Sequence, residues 1–443
     1  MRPKLIALAL AVTAGLAIVS GPARAETADL REKIGQMILI GFEGAHTEDA
    51  RFKHVLEQVR DGRIGGVLYL GRNIASGRDV RSMNAALNKA ADGRQPLLIA
   101  VDQEGGRIQR LTPRVGFPSI LAASRVARMD PNAALLAYRL LGQRLGEWGF
   151  NLNLGPVVDL NVNPANPIIG RLGRSYSSDP EAVRLYATAF IKAHREHGVL
   201  TAIKHFPGHG SSTADSHDGL VDVSGTWTEA ELKPFSEIIL DGNADMVMTA
   251  HVRNRHLQEP GDSDPVSLSK QAISDVLRGK LGFAGVVISD DMQMAGVTHA
   301  HDLRDSVLRA VMAGTDILIF ANDKNPDPDI ADKVIAILAG TAAERPDVAA
   351  RIEESYKRIV ELKLKLRIRA PGRSQSLTTR SIATTEPAEA VAPLTTNAIA
   401  PLAHRRRLTV VTPQVMSAMA RDERLSVQTD VAPAAPATAP TGL

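Results

Sequence analysis

The residues of this chain that are best suited to chemistry lie close together, in a single stretch of fifteen residues. That stretch contains a lysine, three histidines and two aspartates: Lys204, His205, His209, Asp215, His217 and Asp218. An imidazole can take up or release a proton near neutral pH, and lysine and carboxylate groups bind polar substrates through charge-assisted hydrogen bonds. Their density predicts a catalytic or substrate-binding segment.

The apolar run 199–203 directly precedes this stretch and predicts a buried strand that ends before Lys204. Pro207 has no N–H to offer a sheet, and Gly208 and Gly210 permit backbone angles that other residues resist. We therefore expect the chain to leave the sheet here as a loop that carries the functional groups.

Two other interpretations of the loop are open. One is a solvated loop in which histidines cluster by chance. The other is a zinc site formed by His205, His209 and His217. Their spacing matches no standard metal-binding helix, and Lys204 would be an unfavourable neighbour for a cation, so no metal ligand is predicted.

Eight apolar runs alternate with amphipathic helical patterns along the chain. The runs cover 36–42, 64–70, 97–101, 151–154, 199–203, 246–250, 286–289 and 316–320. The helical patterns cover 78–91, 133–148, 180–197, 228–241, 267–279 and 303–313, and two closing helices follow at 330–338 and 348–366. This alternation predicts an α/β protein built on a single (β/α)8 TIM-type barrel.

The active site of such a barrel lies at the carboxyl ends of its strands. Here the third to seventh runs are followed by polar candidates: Asp102, Arg110, Asp159, Arg174, Lys204, His205, His251 and Asp290. We expect these side chains to converge at one mouth. There is no phosphate-binding glycine loop, so the donors and carboxylates favour a neutral, polyhydroxylated substrate such as a sugar.

A glycosidic bond is broken by one group that protonates the leaving oxygen and another that attacks or stabilises the anomeric carbon. Asp290, at the end of the seventh run, is the predicted nucleophile. The alternative is that Asp290 caps a helix, although Asp291 could fill that role instead. Asp215 lies two residues before His217, a spacing that lets the carboxylate hydrogen-bond to the imidazole and fix its tautomer.

Composition excludes several classes of protein. The 443 residues contain no cysteine, which rules out disulfides, thiol catalysis and zinc–thiolate sites. A net charge of +3 is too small to indicate a nucleic-acid partner.

The two ends of the chain differ from its middle. A basic start, an apolar run over 5–19 and a small-x-small ending at Ala25 predict a cleaved signal peptide over 1–25, with Glu26 as the mature terminus and an exported, periplasmic or secreted protein. An uncleaved membrane anchor is the alternative, and no other stretch predicts a membrane span. Residues 371–443 are rich in Ala, Pro and Thr without an aromatic residue and predict a disordered tail. The remaining residues, 26–370, are predicted to form the catalytic domain.

Five stretches together resemble the signature of glycoside hydrolase family 3, in its β-N-acetylglucosaminidase branch: 102–110, 174–175, 204–210, 215–217 and 288–292. The resemblance runs from Ile34 to Leu366 in the same order. It implies a retaining hydrolase that releases terminal β-linked N-acetylglucosamine from peptidoglycan fragments, without a metal or organic cofactor. By analogy Asp290 forms a covalent glycosyl ester, His217 is the acid/base, and Asp215 orients His217.

The resemblance also implies sugar-binding roles for Asp102, Arg110, Arg174, Lys204 and His205. Further candidates are His251, His209 and Asp159. The expected partner is a β-N-acetylglucosaminide or muropeptide, bound by a monomer. The leader and the tail depart from the familiar members, many of which are cytoplasmic recycling enzymes.

Other functions are compatible with the same barrel. A β-N-acetylglucosaminide phosphorylase is one, because an acid/base without negative charge repels phosphate less, and a broader β-glycosidase is another. A secreted sugar-binding protein without turnover is the alternative outside enzymes.

Overall fold

Eight parallel strands close into a barrel in the computed structural model, which describes residues 30–369. They are β1 (Ile38–Gly41), β2 (Gly66–Tyr69), β3 (Leu98–Val101), β4 (Leu152–Asn153), β5 (Leu200–Phe206), β6 (Met246–Thr249), β7 (Val286–Asp291) and β8 (Ile317–Phe320). Each strand pairs with the next, and β8 pairs with β1. The predicted (β/α)8 TIM-type barrel is confirmed.

The strands are buried on both faces, because side chains fill the barrel and helices cover it, and this is why they read as continuous apolar runs. The helices span 30–36, Ala50–Arg60, Gly77–Ala90, Ala123–Val126, Pro131–Glu147, Pro180–Glu196, Lys233–Leu240, Gln271–Lys280 (a π-helix), Ala295–Thr298, Leu303–Ala313, Ile330–Glu344 and Pro346–Arg369. Short 3₁₀ turns span Gly71–Asn73, Pro113–Val115, Glu229–Leu232, Arg255–Leu257 and Val266–Leu268.

Local sequence explains where several helices begin. The Asp130 carboxylate accepts hydrogen bonds from the N–H groups of Asn132 and Ala133, and Pro131 occupies a position where no N–H is needed. The predicted helix 228–241 is instead a 3₁₀ turn followed by Lys233–Leu240, because Pro234 has no N–H with which to continue a helix. The predicted helix 267–279 likewise divides into a 3₁₀ turn and a π-helix.

Two strands extend beyond their predicted ends. β5 continues through Lys204 and His205 to Phe206, so the prediction that it ends at Ile203 was wrong. β7 similarly continues to Asp291. In both places the pairing register shifts, between Ile203 and Phe206 and between Ile288 and Asp291. Such irregularities redirect side chains next to active sites, and here they fall on the polar residues.

Both predicted terminal segments, the signal peptide over 1–25 and the tail over 371–443, lie outside the described residues, as do the predicted domain boundaries. Within residues 30–369, no helix is long and apolar enough to cross a membrane. The described chain also forms two small sheets beside the barrel: Gln103–Gly105 pairs with Ile108–Gln109, and Val221–Asp222 pairs with Val252–Arg253.

A buried lysine lies at the opposite end of the barrel from the predicted site. Lys363, on the last helix, donates from Nζ to Gln36 Oε1 at 2.6 Å and to the Gly65 carbonyl at 2.8 Å, just before β1 and β2. Burial lowers its pKa to about 7. The charged form of Lys363 is therefore costly in the folded protein.

This lysine should make folding stability depend on pH. Above about pH 7 the unfolded chain keeps a proton that the folded chain has released, so the unfolding free energy should rise with pH relative to Lys363→Met. The difference in unfolding free energy between wild type and Lys363→Met should change by up to about 1.4 kcal/mol per pH unit above pH 7, and it should level off below pH 7. Denaturant unfolding from pH 6 to 10 measures it, with the exposed Lys357→Met on the same helix as control. A difference that stays constant with pH would contradict the assignment.

Candidate active site

Two carboxylates and two cations form a buried cluster at the carboxyl ends of β3 to β5. Lys204 Nζ lies 2.8 Å from Asp102 Oδ1 and 2.7 Å from Glu104 Oε1. Arg174 donates to both oxygens of Glu104, each at 2.8 Å. The structure thus joins the predicted residues Asp102, Arg174 and Lys204 through Glu104, a residue to which the sequence had assigned no role.

The contacts within the cluster keep Glu104 and Lys204 in their charged forms. Burial alone would raise the pKa of Glu104, but Arg174 and Lys204 outweigh burial and hold that pKa well below its usual range. Burial alone would lower the pKa of Lys204, yet Asp102 and Glu104 raise it overall. Among the described residues, the second oxygen of Asp102 makes only a long contact, 3.7 Å from Arg110 Nη2. That oxygen can therefore accept a hydrogen bond from a substrate hydroxyl.

Asp159, buried after β4, holds the end of β5 and the start of the following loop. Its Oδ2 lies 2.7 Å from His205 Nδ1, and its Oδ1 accepts the N–H groups of His205 at 3.1 Å and His209 at 2.8 Å. Burial would raise the pKa of Asp159, but His205 and His209 outweigh it and lower the pKa. His205 Nε2 is then directed toward Arg174, 3.4 Å from Nη2.

The predicted acid/base pair is preformed on the loop after β5. His217 Nδ1 lies 2.7 Å from Asp215 Oδ1, which also accepts the His217 N–H at 2.9 Å. The His217 side chain is 56% exposed and that of Asp215 is 29% exposed. Burial raises the pKa of Asp215, but the hydrogen bonds from His217 outweigh it and lower the pKa. A carboxylate bound to Nδ1 leaves Nε2 of His217 available to a substrate.

The two aspartates that end β7 have different surroundings. Asp290 is partly exposed, and its Oδ1 accepts the Asp291 N–H at 2.8 Å. Burial would raise its pKa, but His251, His205 and His217 outweigh burial and lower it. Asp291 Oδ1 instead accepts the N–H groups of Gln293 and Ala321, at 3.1 and 2.9 Å. Neither aspartate caps a helix, since the next one begins after Met294.

His251 is buried beneath these aspartates, after β6. Its Nδ1 lies 2.7 Å from Ser267 Oγ and its Nε2 lies 3.1 Å from the Asp291 carbonyl. Burial lowers the pKa of His251. A neutral imidazole that accepts from Ser267 and donates to Asp291 satisfies both contacts, so His251 supports the end of β7.

The zinc interpretation of the loop has no counterpart in this geometry. No group of three or more His, Asp or Glu residues within 30–369 is arranged to hold a metal ion. Both nitrogens of His209 are occupied by serine hydroxyls, those of Ser212 and Ser216.

The sequence reasoning also missed Glu231, which is buried below the loop. Its Oε2 accepts the Gly210 N–H at 3.1 Å, and burial raises its pKa to about 7. Gly208 has a φ of +115°, and a Cβ there would lie 2.6 Å from the Cβ of Glu231. Glycine is required at this position for both reasons. Glu231 lies 21 residues after Gly210, and no sequence signal connects the two.

Carboxylates and imidazoles converging on the carboxyl face of a TIM-type barrel define an enzyme site that suits glycoside hydrolysis. The sequence model of the Glycosyl hydrolase family 3 N terminal domain matches residues 29–362. The chain therefore belongs to glycosyl hydrolase family 3, a family of glycoside hydrolases.

Two relatives that the chain matches in sequence are named as β-hexosaminidases. "Beta-hexosaminidase A" of Pseudoalteromonas piscicida is 34% identical over 324 residues, 68% of this chain, so the chain matches about half (54%) of that longer protein. "Beta-hexosaminidase" of Tolumonas auensis is 37% identical over 60% of this chain and 78% of its own.

Solved structures agree as well. The β-N-acetylhexosaminidase of Beutenbergia cavernae superposes with a TM-score of 0.67 at 34% identity, over 75% of this chain and 98% of that one. The family 3 β-N-acetylglucosaminidase of Paenibacillus sp. str. FPU-7 gives a TM-score of 0.69 at 30% identity, over 80% of this chain and 66% of that one.

The buried Arg174–Glu104 pair should matter far more to stability than an exposed pair of the same geometry. Glu104→Ala leaves two buried cations without this partner and should lower the unfolding free energy by about 3–5 kcal/mol. Glu196→Ala is the matched control, because Glu196 binds Arg139 through two hydrogen bonds while both side chains are 43% exposed. The Glu196→Ala substitution should lower the unfolding free energy by less than about 1 kcal/mol. Equal losses in denaturant unfolding would show that the buried pair adds no more stability than the exposed one.

Proposed function

We propose that this chain is a retaining exo-β-N-acetylglucosaminidase that acts on peptidoglycan-derived fragments or related glycosides. The observation that carries the proposal is the pairing of two features at one barrel mouth. Asp215 orients His217 through a contact of 2.7 Å between Oδ1 and Nδ1. Asp290 ends β7 at the same face of the barrel, where His251, His205 and His217 together hold its pKa below the ordinary value. A proton donor and an anionic nucleophile are the two groups that a retaining glycosidase requires.

In the first step, Asp290 attacks the anomeric carbon and forms a glycosyl ester, while the bond from that carbon to the leaving oxygen breaks. His217 gives its proton to the leaving oxygen, so the aglycone departs as a neutral alcohol. In the second step, a water molecule attacks the anomeric carbon and releases Asp290, and His217 takes the proton from that water. Asp215 stabilises the positive charge on His217 whenever the imidazole is protonated.

The buried cluster supplies the sugar-binding face of this proposal. The second oxygen of Asp102 can accept a hydroxyl, Arg110, Arg174 and Lys204 present donors, and His205 lies beside them with its Nε2 3.4 Å from Arg174 Nη2. Because Lys204 and Arg174 are already fixed by carboxylates, they are ordered before the sugar arrives, which reduces the entropy lost on binding.

Support for the N-acetylated sugar comes from the relatives, which are named β-hexosaminidases and β-N-acetylglucosaminidases. The natural substrate is separated from the alternatives by product analysis on a β-N-acetylglucosaminide, a β-glucoside and a muropeptide. Turnover with and without phosphate distinguishes hydrolysis from phosphorolysis. Free N-acetylglucosamine as the main product, unchanged by phosphate, is the expected result, and a sugar phosphate would favour the phosphorylase.

Removing the proposed nucleophile should abolish turnover without unfolding the protein, because Asp290 ends a strand at the mouth and fills no core position. Asp290→Ala should lower kcat by at least about a thousandfold. Asp291→Asn is the matched control and should keep most activity, since the amide oxygen can still accept the Ala321 N–H. Mass spectrometry of protein quenched during turnover should find one hexosamine on the peptide containing Asp290. More than a tenth of wild-type activity in Asp290→Ala would exclude this residue as nucleophile.

Removing the proposed acid should matter most when the leaving group needs a proton. His217→Ala should slow glycosides with poor leaving groups by about 100-fold or more, and activated aryl glycosides much less. Asp215→Asn should show the same pattern. The double variant should be little worse than either single one, because members of a catalytic unit are not additive. Uniform losses across aryl glycosides of graded leaving-group pKa would assign His217 to binding instead.

A further inference from the structure

The residue between the acid/base partners carries an inference that rests on the proposed function. The side chains of Asp215 and His217 are 29% and 56% exposed, whereas Ser216 between them is buried and its hydroxyl contacts His209. We propose that Ser216 and His209 are positioning residues. Their hydrogen bond holds the Asp215–His217 pair where His217 can exchange a proton first with the leaving oxygen and then with water.

Hydrogen bonds and close backbone packing fix the base of the loop, residues 207–210. Asp159 accepts the His209 N–H at 2.8 Å, and the side-chain amide of Asn166 donates to the His209 carbonyl at 2.8 Å. The Trp227 indole donates to the Pro207 carbonyl at 3.0 Å. A Cβ on Gly210 would lie 1.7 Å from the Leu160 carbonyl oxygen, so the backbone is packed directly against its neighbour. His209 is therefore part of the rigid body of the barrel.

The tip of the loop, residues 213–220, has few attachments of its own. Its internal contacts are the Asp215–His217 bonds and a turn in which the Asp218 N–H donates to the Asp215 carbonyl at 3.2 Å. Ser216 is 2% exposed, and its Oγ lies 3.1 Å from His209 Nε2. In the described part of the chain this is the hydrogen bond that joins the tip to the body.

His209 is suited to hold that contact unchanged over the working pH range. Its Nδ1 is bound to the Ser212 hydroxyl and its Nε2 to the Ser216 hydroxyl. Burial, followed by the neighbouring His205, lowers its pKa to about 4, with Asp159 acting in the opposite direction and Arg174 in the same one. A neutral imidazole has one donor and one acceptor, and the two hydroxyls can rotate to satisfy both.

The tip also packs against the short helix Ala295–Thr298, which follows the strand that carries the proposed nucleophile. A Cβ added to Gly296, five residues after Asp291, would lie 3.3 Å from the Ser216 carbonyl oxygen and 3.1 Å from the His251 Cβ. The backbone at Ser216 is thus packed on the segment after β7. Ser216 therefore attaches the tip at two points, through its hydroxyl at His209 and through its backbone at Gly296.

Ser216→Ala removes the hydroxyl without adding bulk, and its effect should depend on the substrate. On glycosides with poor leaving groups kcat should fall about 10- to 100-fold, the loss expected when a catalytic group is misplaced by an ångström or loses its supporting hydrogen bond. Activated aryl glycosides should be affected less than about threefold, because their departure needs little proton transfer. KM should change little, since Ser216 does not reach the sugar-binding cluster.

Four companion variants make the result specific. Thr213→Ala removes a hydroxyl from an exposed position of the same tip and should behave as wild type. His209→Gln places an amide nitrogen near the position of Nε2 and should lose less activity than His209→Ala. Ser216→Thr keeps the hydroxyl and should recover part of the activity lost in Ser216→Ala. Equal losses for all leaving groups, or no difference between Ser216→Ala and Thr213→Ala, would overturn the proposal.

Hydrogen exchange tests the same contact without any substrate. Amides of residues 213–220 should exchange faster in Ser216→Ala than in wild type or Thr213→Ala, whereas amides of the barrel strands should not change. Unaltered exchange at the tip would overturn the proposal even if the enzyme were inactive on every hexosaminide. If the tip exchanged faster in Ser216→Ala but the wild-type protein had no hexosaminidase activity, the role of the Ser216–His209 contact would stand and the proposed function would be rejected.

Discussion

One buried carboxylate, Asp159, connects the parts of the site that must act together. Its two oxygens accept three hydrogen bonds, from the backbone and ring of His205 and from the backbone of His209. A buried carboxylate is tolerated only when its oxygens are satisfied, and here that requirement ties the end of β4 to the end of β5 and to the base of the loop. The segments proposed to bind the sugar and to act as acid/base therefore share one anchor.

Charge balance explains why so many ionised groups can lie inside this mouth. Lys204 and Arg174 are matched by Asp102 and Glu104. Glu104, Lys204 and Arg174 keep their charges because their partners outweigh the cost of burial. A substrate then enters a site whose donors are already fixed by neighbouring carboxylates, and this preorganisation is a common source of binding and catalytic strength. The neutral histidines below the mouth, His209 and His251, add hydrogen bonds without adding charge.

The sequence predicted the barrel well because parallel strands buried on both faces leave continuous apolar runs, and β1 to β8 all fall within the predicted runs or extend them. It failed where tertiary pairing overrides local pattern. Pro207 suggested that β5 ends at Ile203, whereas the strand continues to Phe206 through a shift of register. The partners of Glu104 and Glu231 are distant in sequence, so no local pattern could identify them. That Ser216 is buried while its neighbours Asp215 and His217 stay accessible likewise depends on a tertiary contact.

The central claim is that Asp290 attacks the sugar directly and that His217 serves both steps. The measurement that tests it most directly is the configuration of the first product, observed by proton NMR before the free sugar equilibrates. Two displacements at the anomeric carbon predict that β-N-acetylglucosamine appears first and that the α-anomer accumulates only later. The α-anomer as first product would contradict the claim, because it would mean that water displaces the aglycone in one step and that Asp290 never bonds to the sugar.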